Sequence, residues 1–181
     1  VALEHAILVS LAERASSGYD LARRFDRSIG QFWSATHQQV YKVLGRMEAD
    51  GWVSVTVVEQ DGRPDKKVYA VTPAGKAELD RWISEPASIE TGRSELAVKL
   101  RGASYGDLPA VLDEVRRHRA AREARLEYYL QSEKNEFPDP SRLRGQRLHQ
   151  YLVLRGGIRL EQSLIDWYDE VLASLDKNGR R

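Results

Sequence analysis

The sequence predicts a mainly α-helical protein with one small β-hairpin, and three observations carry that reading. Apolar residues follow a helical period over most of the chain, and the period drops to two only around residues 52–71. The second half then holds two helical runs much longer than an ordinary globular helix. At 181 residues and 41% hydrophobic content, the chain is long enough for one ordinary domain or two small ones with packed cores. No run approaches the ~18 consecutive apolar residues of a membrane span, and no signal-peptide pattern opens the chain, so a cytoplasmic location is expected. A first residue other than Met points to processing or to residues ahead of Val1. With no cysteine there is no disulfide, thiolate ligand or thiol nucleophile.

The elements follow in order. "LEHAILVSLAE" is apolar at Leu3, Ile7 and Leu11, with Ala6, Leu8 and Val9 widening the stripe, as in a largely buried helix. "SSG" breaks it. A second helix over about residues 19–29 has Leu21, Phe25 and Ile29 inward and Arg23, Arg24 and Arg27 outward, with Gly30 placed to end it. The third helix opens at Thr36, whose spacing to Gln39 has the form of a capping box; Ser34 is the competing cap. Its inward stripe is Val40, Val43, Leu44 and Met47, so Gln38, Lys42, Gly45 and Ala49 point the opposite way, and Gly51 supplies a left-handed stop.

"WVSVTVVEQ" alternates as a strand, "DGRPDKK" is a turn, and "VYAVT" returns as the second strand. Thr72 caps the next helix, with Pro73 at its first position, where a missing N–H costs nothing. Residues 85–92 separate two domains, 1–86 and 93–181. The second is all helix: a short one near 94–101, a long one over about 108–133, and a last one over about 142–176. The basic run "EVRRHRAAREARLEYY" reads as a solvated, partly coiled-coil helix. Glu114, Glu123 and Glu127 lie within pairing range of Arg119 and Arg122.

Helix, helix, helix, hairpin with a basic tip, helix is the order of a winged helix-turn-helix, whose third helix enters the major groove of DNA. The face carrying Gln38 and Lys42 suits that role. An amide pairs bidentately with adenine, and a lysine reaches guanine or phosphate, whereas acids would be repelled. Arg63, Lys66 and Lys67 at the hairpin tip would lie along an adjacent phosphate strand. The site must be built locally, because the net charge is only +1 and residues 1–86 hold 11 basic and 12 acidic side chains.

"GYDLARRF", "GQFWSATHQQVYKVLGRMEADGWV" and "GRPDKKVYAVTPAGKAELDRWI" resemble the winged-helix domain of PadR-family transcriptional regulators over nearly all of residues 2–86. The helical remainder is similar to the subfamily with a virulence-activator-like C-terminal domain. The resemblance implies a homodimeric repressor that binds double-stranded operator DNA and is released by a small effector. Carried over by position, it implies groove contacts from Thr36, His37, Gln38, Gln39, Tyr41 and Lys42, with Arg63, Lys66 and Lys67 on the wing.

The last helix has two adjacent apolar seams. One holds Leu154, Ile158, Ile165, Tyr168, Leu172 and Leu175; the other holds Val153, Gly157, Leu160, Leu164, Trp167 and Val171. Two seams imply two partners, the chain's own helices and a second subunit. The dimer contact is expected at Leu154, Ile158, Leu164, Ile165, Trp167, Tyr168 and Leu172, with Gly156 and Gly157 permitting close approach. This is a C-terminal long-helix dimerisation domain. For an aromatic effector, Trp82, Tyr151 and Trp167 are the candidate contacts, with Phe32, Trp33 and Tyr168 near them.

An enzyme is not expected. His5, His37, His118 and His149 are isolated, without HExxH or carboxylate clusters at ligand spacing, and no GxSxG, GxGxxG or GxxxxGK[ST] occurs. No metal or cofactor is therefore expected. The alternatives are a winged-helix module that binds protein instead of DNA, or an effector sensor acting through a partner. Basic residues at the wing tip speak against the first.

Overall fold

The computed structural model describes residues 3–27, 35–59, 65–87 and 94–178. Gly30, Phe32, Trp33, Ser34 and Arg63, to which the sequence reading gives roles, lie outside them. The elements are α1 (Leu3–Glu13), β1 (Ser16–Ser17), α2 (Gly18–Arg27), α3 (His37–Ala49), β2 (Val53–Val58), β3 (Lys66–Val71), α4 (Pro73–Ile83), α5 (Glu95–Arg101), α6 (Leu108–Glu136) and α7 (Gly145–Asn178). They divide into two compact units, residues 1–89 and 90–181. Among the described residues, no helix is long and apolar enough to cross a membrane.

The first unit is built around α1. Ile7, Leu8 and Leu11 are buried in one cluster with Leu21 of α2, Val40, Leu44 and Met47 of α3, and Val53 and Tyr69 of the sheet. The capping box at Thr36 is present: its side chain accepts from the Gln39 N–H, and its own N–H donates to the Gln39 side chain at 2.8 Å. Gly51 takes the left-handed conformation, φ 72°. The hairpin has Val55 opposite Tyr69 and Val57 opposite Lys67. β3 begins at Lys66, so Lys66 and Lys67 belong to the strand and not to the turn.

The sheet has a third strand, formed at Ser16 and Ser17, where the sequence predicts only a break between two helices. Ser16 pairs with Tyr69 and Ser17 with Val68, giving the order β1-β3-β2. Two residues leave no alternation to read, and the pairing exists only because α1 and α2 bring them beside β3. Arg24, expected to point outward, folds back. Its Nη2 donates to the carbonyls of Ser10 and Arg14, at 2.7 and 2.9 Å, near the C-terminal end of α1.

α4 is fastened to the start of β2. The Thr72 hydroxyl accepts from the Gly75 N–H and donates to the Gly51 carbonyl at 2.6 Å, and the Thr72 N–H donates to the Trp52 carbonyl. Gly75 is buried so tightly that a Cβ there would lie 2.1 Å from the Trp52 carbonyl oxygen. His5 of α1 meets α4 from the other side: its Nε2 is 2.9 Å from Glu78 Oε1, and its ring stacks on Trp82 with centroids 4.7 Å apart. Arg81 also donates to Glu78, and it pairs with Glu85.

In the second unit α6 and α7 form an antiparallel hairpin tied by Arg119 to Asp169, Arg122 to Glu161 and Arg155 to Glu133. Tyr129, Phe137, Leu154 and Ile158 form one buried cluster, and Leu96 of α5, Val115 and Tyr168 form another. The basic run of α6 is thus paired within its own domain, as its solvated reading anticipates: Arg119 meets Glu123, and Arg117 meets Glu114. Glu161 fills the place between Ile158 and Ile165 in the inner seam. It is a buried carboxylate held by Arg122 Nη1 at 3.2 Å and Arg125 Nη1 at 3.7 Å.

Two measurements check this framework. Gly75→Ala has to displace the Trp52 carbonyl and should destabilise the first unit by about 1–3 kcal/mol in urea unfolding. Hydrogen bonds from Arg81, then His5, lower the Glu78 carboxyl from 4.5 to about 2. A depressed carboxyl stabilises the fold fully above its unfolded pKa and loses that effect as pH falls through the folded one. Melting temperature should therefore drop as pH falls from about 4.5 towards 2, and Glu78→Gln should flatten that part of the curve.

Candidate nucleic-acid interface

The outer face of α3 follows from its inner one. With Val40, Leu44 and Met47 buried, a turn of about 100° per residue directs Gln38 and Lys42 to solvent. Neither has a hydrogen-bond or ion-pair partner among the described residues. The first turn of α3 carries no acid. An amide and a cation without internal partners can both donate to base edges or phosphates.

The neighbouring candidates have structural work as well. Thr36 and Gln39 complete the cap, which engages the Gln39 amide oxygen and leaves its NH₂ group to donate. His37 is exposed at the first helical position. Tyr41 is half exposed, and its ring lies over the start of α2; a Cβ on Gly18 would be 2.4 Å from Tyr41 Cε1. The Gly-Tyr contact sets how closely α2 and α3 approach.

On the wing, alternation sends Lys66 and Lys67 to opposite faces of β3. Lys67 is exposed and has no partner among the described residues. Lys66 Nζ instead lies 2.7 Å from Asp20 Oδ2, and the Ser17 hydroxyl donates to the same oxygen at 2.8 Å. These contacts, Lys66 first and Ser17 second, hold the Asp20 carboxyl below its usual value. Asp20 therefore clips the root of the wing to the start of α2 and occupies one of the expected DNA-contacting lysines. Beside this clip is a cleft lined by Arg14, Ser16, Ser17, Asp20, Arg23 and Lys66, with the Arg23 guanidinium 5.7 Å above the Tyr19 ring. The Ser17 and Asp20 spacing is a cap signature legible in sequence; the Lys66 contact, 46 residues away, is not.

The residues expected at a dimer contact divide. Leu154, Ile158, Ile165 and Tyr168 are buried within the chain, and Leu164, Trp167 and Leu172 are partly covered by the cluster around Leu96 and Tyr168. The apolar residues of α7 left open are Leu152, Val153 and Leu160, each more than half exposed. Two of the aromatic residues expected at an effector site, Tyr151 and Trp167, lie apart within the second unit. Tyr151 packs on Phe137 and Trp167 on Tyr168, and sixteen residues of helix separate them by about 24 Å. Within one chain a single small ligand cannot touch both. Trp82 is stacked on His5.

The geometry has close relatives. Residues 7–81 match the family described as transcriptional regulator PadR-like, and residues 92–176 match the virulence activator alpha C-terminal family. The probable transcriptional regulator Rv1176c of Mycobacterium tuberculosis is 57% identical, covering 98% of this chain and 99% of its own. The negative transcriptional regulator PadR of Bacillus subtilis is 30% identical, covering 97% and 98%. Its structure in complex with operator DNA gives a TM-score of 0.82 at 29% identity over 95% of this chain and 98% of that one, and it has also been solved with p-coumaric acid. The Vibrio cholerae virulence activator AphA gives 0.81 at 33% identity, covering 97% and 99%. The chain belongs to the PadR family of DNA-binding transcriptional regulators, in the branch that carries the virulence-activator-type helical C-terminal domain.

Proposed function

We propose that the protein binds a pseudo-palindromic operator as a homodimer and represses transcription by covering the promoter, until a small aromatic effector releases it. The observation that carries this reading is the orientation of α3: its apolar face is buried, and Gln38 and Lys42 stand in solvent with no partner among the described residues. Gln38 reads a base edge, Lys42 reaches a guanine or phosphate, and Lys67 contacts phosphate. Thr36, His37, Gln39 and Tyr41 flank that contact, and Lys66 belongs to the same wing, at whose tip the sequence leads us to expect Arg63. A cytoplasmic location follows from action on the chromosome.

The double seam of α7 supports the dimer. Its inner seam is covered by α6, and the C-terminal half of its outer seam, at Leu164, Trp167 and Val171, is covered with help from Leu96 and Leu100 of α5. In the N-terminal half of the outer seam Gly157 is buried, whereas Val153 and Leu160, with Leu152 beside them, stand more than half exposed, and a Cβ on Gly156 would meet nothing within 4 Å. A second copy presenting the same stripe buries both, as two-fold symmetry requires. Two recognition helices roughly 34 Å apart then enter successive major grooves on one side of the duplex. Repression is supported by the negative regulator from B. subtilis, and an aromatic effector by that protein's structure with p-coumaric acid. The effector acts by favouring one dimer geometry over another.

A gel shift with the DNA upstream of its own gene, at two salt concentrations, tests the reading. Gln38→Ala should reduce discrimination between operator and unrelated DNA. Lys67→Ala should weaken binding to every sequence and lower the salt slope by about one. Equal losses on all sequences from both changes remove the assigned roles, and increased promoter output on adding the protein removes repression. Leu160→Glu should convert dimer to monomer in sedimentation while leaving the helical circular-dichroism signal in place. A persistent dimer moves the contact elsewhere.

A further inference from the structure

Gly45 is the residue of α3 that the fold does not explain. It lies inside a regular helix, where glycine lowers stability relative to alanine because it has more backbone freedom to lose. The other described glycines of the first unit each have an internal reason. Gly18 lies under the Tyr41 ring, Gly51 has φ 72°, and Gly75 sits against the Trp52 carbonyl. At Gly45 an added Cβ would meet no atom within 4 Å, and its φ is not in the left-handed region. Nothing within the described chain requires the side chain to be missing.

Its position supplies a reason from outside. Gly45 is three residues after Lys42 and seven after Gln38, so the three form one row on the exposed face, opposite Val40 and Met47. Arg46, the next residue, is drawn towards α1 by an ion pair with Glu4 at 2.9 Å. The row therefore presents an amide, a cation and then bare backbone. A helix with its side chains is about 10–12 Å across, and the major groove is about 12 Å wide, so clearance is smaller than one side chain.

We propose that Gly45 is the point where the sugar-phosphate strand bordering the major groove comes against the backbone of α3. This close approach lets Gln38 and Lys42, in the preceding turns, reach the base edges. The inference rests on the DNA-binding reading of α3 and adds a positioning residue to it. Gly45 itself touches no base. A side chain there holds the whole helix away from the groove, so its effect on affinity is independent of sequence, unlike that of Gln38.

The test uses the full chain with Gly45→Ala and Gly45→Gln. Binding is read by fluorescence anisotropy, on a labelled duplex from the region upstream of its own gene and on a mixed-sequence duplex. Thermal melting is followed on the same samples. Both variants should melt a few degrees higher than the wild type, because each replaces a mid-helix glycine with a better helix former. Alanine should weaken binding to both duplexes by about tenfold, equivalent to about 1.4 kcal/mol, and glutamine should weaken it further. Unchanged or tighter binding by either variant, on duplexes that the wild type binds, overturns the proposal alone. Lower melting temperatures also overturn it, since they reveal an internal role for the glycine. A wild-type chain that binds neither duplex at low salt overturns the DNA-binding reading and this proposal with it.

Discussion

The burial of Val40, Leu44 and Met47 against α1 and the sheet fixes the rotation of α3 about its own axis. A helix held by one face has no freedom in what the other presents. Turning α3 by a single residue, about 100°, would swing Gln38 and Lys42 off the outward row and bring Leu44 or Val43 into it, according to the sense of the turn. Everything assigned to the outer face therefore depends on the apolar contact beneath it. The capping box at Thr36 and the left-handed Gly51 set the ends of the helix, and the Gly18–Tyr41 contact sets its distance from α2.

The sheet and α4 extend this constraint outward. β3 is paired on both sides, by β1 and β2, so the wing grows from a central strand and not from an isolated ribbon. The Asp20–Lys66 pair ties the start of that wing to α2. Exposed pairs of this kind stabilise by at most about 1 kcal/mol, so the clip orients the wing more than it holds the fold together. At the opposite end, Thr72 and Gly75 hold α4 against the start of β2, while His5 and Glu78 hold it against α1.

Much of this was legible in the sequence because the signals are local. The Thr36–Gln39 cap, the stop at Gly51, the hairpin between Val53 and Val71, and the Thr72–Pro73 helix start each lie within a few residues of their partners. What escaped depends on distant segments. β1 is two residues long and is a strand only because Tyr69 and Val68 lie beside it. Arg24 looked outward by helical phase, yet carbonyls from the preceding helix drew it back. Lys66 was counted with the turn, although Asp20 neutralises it across the wing root. On α7 the heptad pattern marks the seam that is buried within the chain, but periodicity alone could not say which residues of the neighbouring seam α5 and α6 cover. Tyr151 and Trp167 look like neighbours in composition but lie far apart along one straight helix.

Glu161 marks the middle of the α6–α7 hairpin with the one charge buried in that seam among the described residues. Sliding either helix by a heptad would carry this carboxylate from Arg122, its nearer counter-ion, to the level of Val115 or Tyr129, and removing one partner of a buried ion pair costs up to about 3–5 kcal/mol. Register along the hairpin is thereby set by charge as well as by shape, which an all-leucine seam could not do, since each heptad of such a seam looks like the next.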